Sequence, residues 1–180
     1  MRLRYTIRPA TPEDAEQIID HVKAVADEPH NGIASNSADE FTITVEQERE
    51  ILQDYLDTHN KRYMVAEQDG KIIATINCAP SGSRSGFQHA VSLGITVNKE
   101  FRNQGIGTAL MQEVINWCKE HPSIKRLELT VFHNNPRAIH IYEKLGFVRE
   151  GVKRSAFPKH GEWLDMVIMG IVFDKTIKID

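Results

Sequence analysis

The sequence predicts a mixed α/β sandwich, one sheet with helices flanking it, in a single domain spanning residues 1–180. Three observations predict it. Strand-like alternation and helix-like spacing of apolar residues take turns along the chain. The breaks between them carry proline, glycine or a capping residue. The 180 residues suffice for one hydrophobic core, and no repeat, low-complexity tract or linker divides them.

The elements follow in order. Residues 5–8 alternate in character and stop at Pro9. Thr11, Pro12 and Asp14 form an N-terminal capping signature for a helix through Ile18, Ile19, Val22 and Val25. Residues 28–44 are polar, with Pro29, Gly32 and several Asn and Ser, and read as a mobile loop of functional length. A second helix spans 45–58, with Ile51, Leu52, Tyr55 and Leu56 turned inward. Residues 62–67 and 71–77 make a hairpin around Asp69-Gly70. Residues 81–86 form a flexible connector and 88–97 a strand. A helix over 105–120 carries Ile106, Leu110, Val114, Ile115 and Cys118 on one stripe. A strand at 127–132, a helix at 136–145 stopped by Gly146, and strands at 147–153 and 163–173 complete the chain.

Composition excludes several classes. Apolar residues make up 41% and charged residues 26%, with a net charge of −3 and a pI near 6.2. That balance lacks the basic footprint of a nucleic-acid binder. No apolar run has the length of a bilayer span or a signal peptide, so a cytoplasmic protein is expected. Cys78 and Cys118 are far apart in sequence, in apolar surroundings, and are expected as reduced thiols. His133 and His140 have no carboxylate or thiolate cluster beside them, so no metal is expected.

The informative stretch runs from Leu93 through Asn98, Arg102, Asn103, Gln104, Gly105, Ile106 and Gly107 to Thr108: a buried strand, a polar turn and a glycine-rich helix start. Gly105 and Gly107 lack Cβ atoms, so phosphates can approach the backbone there. The first helical amides have no internal partner, and the positive end of the helix dipole lies behind them. Arg102 and the Thr108 hydroxyl offer further donors. Gly107-Thr108-Ala109 fails as a Walker A ending, and Leu110 stands where a dinucleotide fingerprint needs its third glycine.

Arg-x-x-Gly-x-Gly after a strand resembles the acetyl-CoA signature of the GCN5-related N-acetyltransferase (GNAT) superfamily. The block from Asn135 through Arg137, Ala138, Ile139, Ile141, Tyr142, Leu145 and Gly146 to Phe147 resembles that family's second motif, and the start Ile7-Arg8-Pro9-Ala10-Thr11 is a common opening. The likeness is strongest over 93–151. Residues 149–165 resemble members acting on small-molecule amines and amino acids or on ribosomal-protein N-termini. The resemblance implies a mixed, mostly antiparallel sheet of about seven strands, with two parallel strands splayed at the cofactor site. It implies acetyl-CoA as co-substrate, a primary amine or peptide N-terminus as acceptor, and transfer without an acyl-enzyme. Carried over, the backbone of Ile95, Thr96 and Val97 pairs with the pantetheine. Arg102, Asn103, Gln104, Gly105, Ile106, Gly107 and Thr108 hold the pyrophosphate. Asn135 bonds the pantetheine or acyl region, and Tyr142 is the general acid at the departing sulfur. A homodimer through the last strands is compatible with it.

Many relatives carry glutamate where this chain has Ser92. A hydroxyl is a poor base, so the proton of the amine passes elsewhere; His89, His133, Glu67 and Glu128 are the candidates, with water. The loss of that glutamate also admits a silent CoA-binding sensor, and other acyl-CoA donors stay open. Plainer roles stand beside the sharp ones: Gly105 and Gly107 as turn residues, Tyr142 as a core aromatic, Arg102 as a solvated side chain, Asn135 as an N-cap. The acidic face at 46–50 is either solvated or borders the acceptor.

Overall fold

A computed structural model describes residues 5–29 and 31–173. The order is β1 (Thr6–Pro9), α1 (Ala15–Ala26), α2 (Val45–Asp57), β2 (Arg62–Gln68), β3 (Lys71–Pro80), β4 (Ala90–Val97), α3 (Ile106–Glu120), β5 (Arg126–Phe132), α4 (Pro136–Lys144), β6 (Val148–Lys159) and β7 (Glu162–Val172). All seven strands join one sheet in the order β1-β2-β3-β4-β5-β7-β6. Every neighbouring pair is antiparallel except β4 and β5. The order of elements and the single mixed sheet match the expectation.

Local chemistry explains the joints. Asp14 accepts from the Thr11 N–H at 2.8 Å, and a short 3-10 turn there leads into α1. Asp69 and Gly70 both take positive φ, 51° and 76°, the twist a two-residue hairpin loop requires. Gly146 ends α4 at φ 97°.

The two faces of the sheet carry separate cores. On one, Ile106, Leu110, Val114, Ile115 and Cys118 of α3 and Ile139 of α4 pack on Ile76, Leu93, Leu127 and Met169. On the other, Ile18 of α1 and Leu52 of α2 pack on Tyr63 and Val65. Cys78 and Cys118 are free, buried and in side-chain contact, and that contact together with burial raises the Cys78 thiol's pKa. Among the described residues no helix is long and apolar enough to cross a membrane, and no group of three or more His, Cys, Asp or Glu is placed to hold a metal.

Three sequence expectations are corrected. Of the residues placed inward on α2, Ile51 and Leu56 are exposed, at 38% and 47%, because α2 buries only the narrow stripe containing Glu48 and Leu52. The strand expected to end at residue 153 continues as β6 to Lys159. A register shift between Lys153 and Phe157, with Ser155 at φ 47°, breaks the two-residue period that would have revealed it. The strand therefore returns through a tight turn at His160-Gly161, and residues 156–162 form a hairpin tip. The residues described within 28–44, expected as a mobile loop, are pinned instead.

The pin is Lys159, 5% exposed at the end of β6. Its ammonium donates to the Asn31 Oδ1 at 2.7 Å and to the Ile33 and Ser35 carbonyls at 2.8 Å each. It also lies 5.3 Å from the Phe132 ring centre. Glu40 tightens the same loop by accepting from the Ser35 hydroxyl and the Asn36 N–H, and the Asp27 carboxylate accepts from the Ala38 N–H. Replacing Lys159 by Met keeps the aliphatic stem and leaves three acceptors without their donor. The expected cost is roughly 2–4 kcal/mol in denaturant unfolding, with new protease cleavage at residues 31–37. Unchanged stability and an uncut loop would show that Lys159 does not hold it.

Candidate functional site

β4 is paired with β3 over its whole length, from Val91 opposite Pro80 to Val97 opposite Ala74. Its parallel pairing with β5 covers only Ala90, Val91 and Ser92, opposite Arg126, Leu127 and Glu128, and then stops. The two strands part over Leu93–Val97 and Leu129–Phe132. This is the splay the resemblance implied.

Register shows which groups face the gap. The Ala90 carbonyl accepts from Ser81, and Asn98 donates to the Ile73 carbonyl, so even-numbered residues of β4 turn their main-chain groups toward β3. Odd-numbered residues turn theirs toward β5. Ile95 and Val97 therefore present main-chain groups to the opening, whereas the N–H and C=O of Thr96 belong to the β3 ladder. Thr96 faces the α1 side through its hydroxyl.

At the far end of β4 the chain turns through Asn103 (φ 69°) and Gly105 (φ 82°) into α3. Ala109 donates to the Gly105 carbonyl at 2.9 Å, which leaves the N–H groups of Ile106, Gly107 and Thr108 without an intrahelical acceptor. No acidic side chain sits in that first turn. Asn103, Gln104, Gly105 and Thr108 are exposed. A Cβ on Gly107 would stand 3.4 Å from a Val97 methyl, in ordinary contact, so the helix start lies against the end of β4. The result is a positive helix terminus at the mouth of the gap, suited to a pyrophosphate.

Arg102 is more engaged than a solvated arginine. Its Nε donates to the Val97 carbonyl at 2.9 Å, and its guanidinium pairs with Glu28. Glu28 also accepts from the Lys99 N–H at 3.2 Å. The pair ties the start of the 27–44 loop to the turn ahead of α3 and satisfies one carbonyl of the open edge.

α4 lies on the β5 side. Asn135 caps it, its Oδ1 accepting from Ala138 at 3.1 Å. The amide nitrogen of Asn135 lies against Gly32, where a Cβ would come within 3.0 Å, so the pinned loop reaches the site. Tyr142 packs on the α3 and α4 core, its ring centre 5.9 Å from that of Phe147. Burial pushes its phenol up to about 12, so it stands protonated at neutral pH.

The sequence-derived base candidates are occupied or exposed. Glu67 accepts from Arg8 at 2.7 and 2.9 Å. Glu128 accepts from Arg126 and from the Ser81 hydroxyl, each at 2.7 Å, and those bonds outweigh its desolvation to lower its pKa. His89 is exposed, and so is His133, whose Nδ1 lies 3.2 Å from the Asp165 carbonyl.

One buried polar residue, His21, was missed, and a second, Glu48, was named only within the acidic face at 46–50. His21 of α1, 5% exposed, places Nε2 2.8 Å from the Thr96 hydroxyl, which in turn lies 2.8 Å from the Thr75 hydroxyl. Its Nδ1 is buried without a partner among the described residues. Glu48 of α2 is 8% exposed. The signal was available: His21 lies between Ile18 and Val25, and Glu48 between Val45 and Leu52, each at i+3 and i−4 on the inward stripe.

Comparison with known proteins agrees with this arrangement. The profile of the acetyltransferase (GNAT) family matches residues 31–147. An L-amino acid N-acetyltransferase of Escherichia coli is 35% identical over 113 residues, 62% of this chain and 68% of that protein. The crystal structure of a GNAT-family acetyltransferase from Streptococcus pneumoniae superposes with a TM-score of 0.88 at 29% identity, covering 95% of this chain and all of that one (100%). A phosphinothricin acetyltransferase from Sinorhizobium meliloti, solved in complex with AcCoA, gives a TM-score of 0.78 at 25% identity, over 96% of this chain and 89% of that one.

The buried histidine makes a pH prediction. Burial, with the charge of Arg102 adding to it, pushes His21 down to about 4, below its ordinary value near 6.5. Between those values the unfolded chain binds the proton and the folded chain does not. This contribution to stability is therefore complete above pH 6.5 and lost as pH falls toward 4. Lowering the pH from 7 to 5 is expected to remove about 2 kcal/mol that His21→Gln does not lose. Denaturant midpoints at the two pH values test this, and parallel losses in both proteins would refute it.

Proposed function

The chain belongs to the acetyltransferase (GNAT) family, and on that premise we propose that it moves an acetyl group from acetyl-CoA directly to a primary amine bound beside it in a ternary complex. The observation that carries the reading is the parting of β4 from β5 after Ser92, next to an uncapped helix N-terminus. A gap edged by main-chain donors and acceptors fits the amide-bearing pantetheine, and the amides of Ile106, Gly107 and Thr108 fit the pyrophosphate.

In this reading Asn103, Gln104 and Gly105 shape the anion cradle, and the backbone of Ile95 and Val97 aligns the thioester arm. Arg102 acts mainly by holding the Val97 carbonyl and Glu28 in place, with its remaining N–H donors facing the cradle. The Ile95 N–H stabilises the charge that builds on the carbonyl oxygen during amine attack. Tyr142, a protonated phenol at neutral pH, donates to the departing thiolate. Asn135 holds the end of the gap where α4 begins.

An aliphatic amine near pKa 10 is neutral in only about one part per thousand at pH 7. With Glu67 and Glu128 held in ion pairs, water at the exposed Ser92 and Gly94 surface carries its proton away. The acceptor approaches from the α1 and α2 face, where Ser92, Gly94 and Thr96 point. The E. coli relative named for L-amino acids supports a small amine as acceptor.

Tyr142→Phe separates the enzyme from the silent sensor. Thiol release with acetyl-CoA and an accepted amine is expected to fall roughly 100- to 10,000-fold in kcat, with the KM for acetyl-CoA little changed. An unchanged kcat would remove Tyr142 from the mechanism. Calorimetric binding of acetyl-CoA without turnover of any amine would favour the sensor.

A further inference from the structure

On the α1 and α2 face, behind the reacting strand, lies a cavity of about 420 Å³ that none of the proposed chemistry uses. Ile18, Ile19 and Val22 of α1 and Ile51 of α2 make its walls apolar, and Phe41 and Ile43 of the pinned loop close one side. Its polar lining residues are Glu40, Thr42, Glu48, Tyr55, Tyr63 and Asn77. Asn77 stands at the inner end: its side chain lies 3.7 Å from where a Cβ on Gly94 would be, one residue before Ile95. The cavity therefore abuts the strand that lines the reacting end of the gap.

Glu48 is the anomaly. It is 8% exposed, and no side chain or backbone group among the described residues pairs with its carboxylate. Its oxygens are not sealed from solvent, and an ammonium entering the cavity would give them a charged partner. Burial raises the Glu48 pKa, and Tyr55 and Tyr63 line the same cavity. Those rings meet edge to face, with centres 5.3 Å apart at 78°. The lining contains two carboxylates, Glu40 and Glu48, and no Lys, Arg or His. Outward, Thr42, Ile43 and Ile51 are shared with an open hollow of about 650 Å³ that Glu50 and Asp54 edge. A carboxylate in a cavity lined by two tyrosines and apolar side chains, with no cation in its lining, suits an ammonium on a hydrocarbon chain.

We propose that this cavity receives the distal cationic end of the acceptor, making the preferred substrates long-chain amines with a second positive charge: diamines, polyamines or basic amino acids. This rests on the acetyl-transfer reading for the nitrogen that reacts. One nitrogen lies at Gly94 and Ile95, the methylene chain runs past Asn77 and Tyr63 between the isoleucines, and the far ammonium pairs with Glu48. A longer polyamine continues toward Glu50 and Asp54.

The test compares cadaverine with pentylamine, chains of equal length that differ only in the second ammonium. Thiol release should give cadaverine a kcat/KM higher by roughly 10- to 100-fold, the range of one charge-assisted hydrogen bond. Glu48→Gln should bring that ratio close to one. Ile43→Trp, which fills the cavity from the loop side and leaves the buried carboxylate in place, should lower the ratio too, and it serves if the Gln variant does not fold. Calorimetry of cadaverine binding without acetyl-CoA should show the same dependence on Glu48. Equal ratios in wild type and variants, or a preference for pentylamine, would overturn the proposal and leave acetyl transfer standing. Glu48-dependent cadaverine binding with no thiol release from any amine would support the cavity and sink the acetyl-transfer reading.

Discussion

Beyond the pair Ser92–Glu128, β4 keeps its ladder with β3 and gives up its ladder with β5, and the rest of the site is arranged around that loss. A sheet edge opened inside a domain leaves N–H and C=O groups that must be paired, solvated or left at a cost. The protein meets part of this demand itself. Arg102 reaches back to the Val97 carbonyl, and Glu28 holds Arg102. The main-chain groups of Ile95 stay available, and the same polypeptide turn that ends β4 starts α3 with its free amides beside them. Strand edge and helix terminus thus form one continuous polar seam, built from backbone and therefore rigid before any ligand arrives.

The two faces of the sheet then divide the work. The α3 and α4 side is densely apolar, and its contribution is placement: the helix terminus, the Asn135 cap and a phenol protonated at neutral pH. The α1 and α2 side has the smaller apolar core and holds His21, Glu48 and Thr75 in the interior. Buried polar groups weaken a core, and on this side one of them, Glu48, lines an internal space. Lys159 links the two sides at the rim. From the last residue of β6 it fixes the loop that follows α1, so the β6–β7 hairpin sets the shape of that loop.

Much of this was legible in the chain. Gly105, Gly107 and Gly146, Pro9, Pro12 and Pro136, and the Asp69-Gly70 turn mark joints through local sterics, and those joints came out within a few residues. The signature around Arg102 and the block around Tyr142 pointed to the end of the fold where β4 parts from β5, because a left-handed turn such as that at Gly105 favours glycine. The bulge between Lys153 and Phe157 was hidden, since inserted residues cancel the period by which a strand is recognised. The pinned loop was hidden because its anchor lies more than a hundred residues downstream, Lys159 to Asn31. His21 and Glu48 sat in plain view on inward stripes, and only their polar character kept them out of the expected core.

By itself, then, the sequence determined the succession of elements, the single sheet and the glycine-rich helix start, because each depends on hydrophobic period, backbone sterics and capping within a few neighbouring residues. The tertiary structure alone decided where β4 leaves β5, which main-chain groups face the opening, what Arg102 and Lys159 hold, and that Glu48 borders an apolar cavity. Those depend on register between strands and on contacts between residues remote in the chain, and no local pattern encodes them.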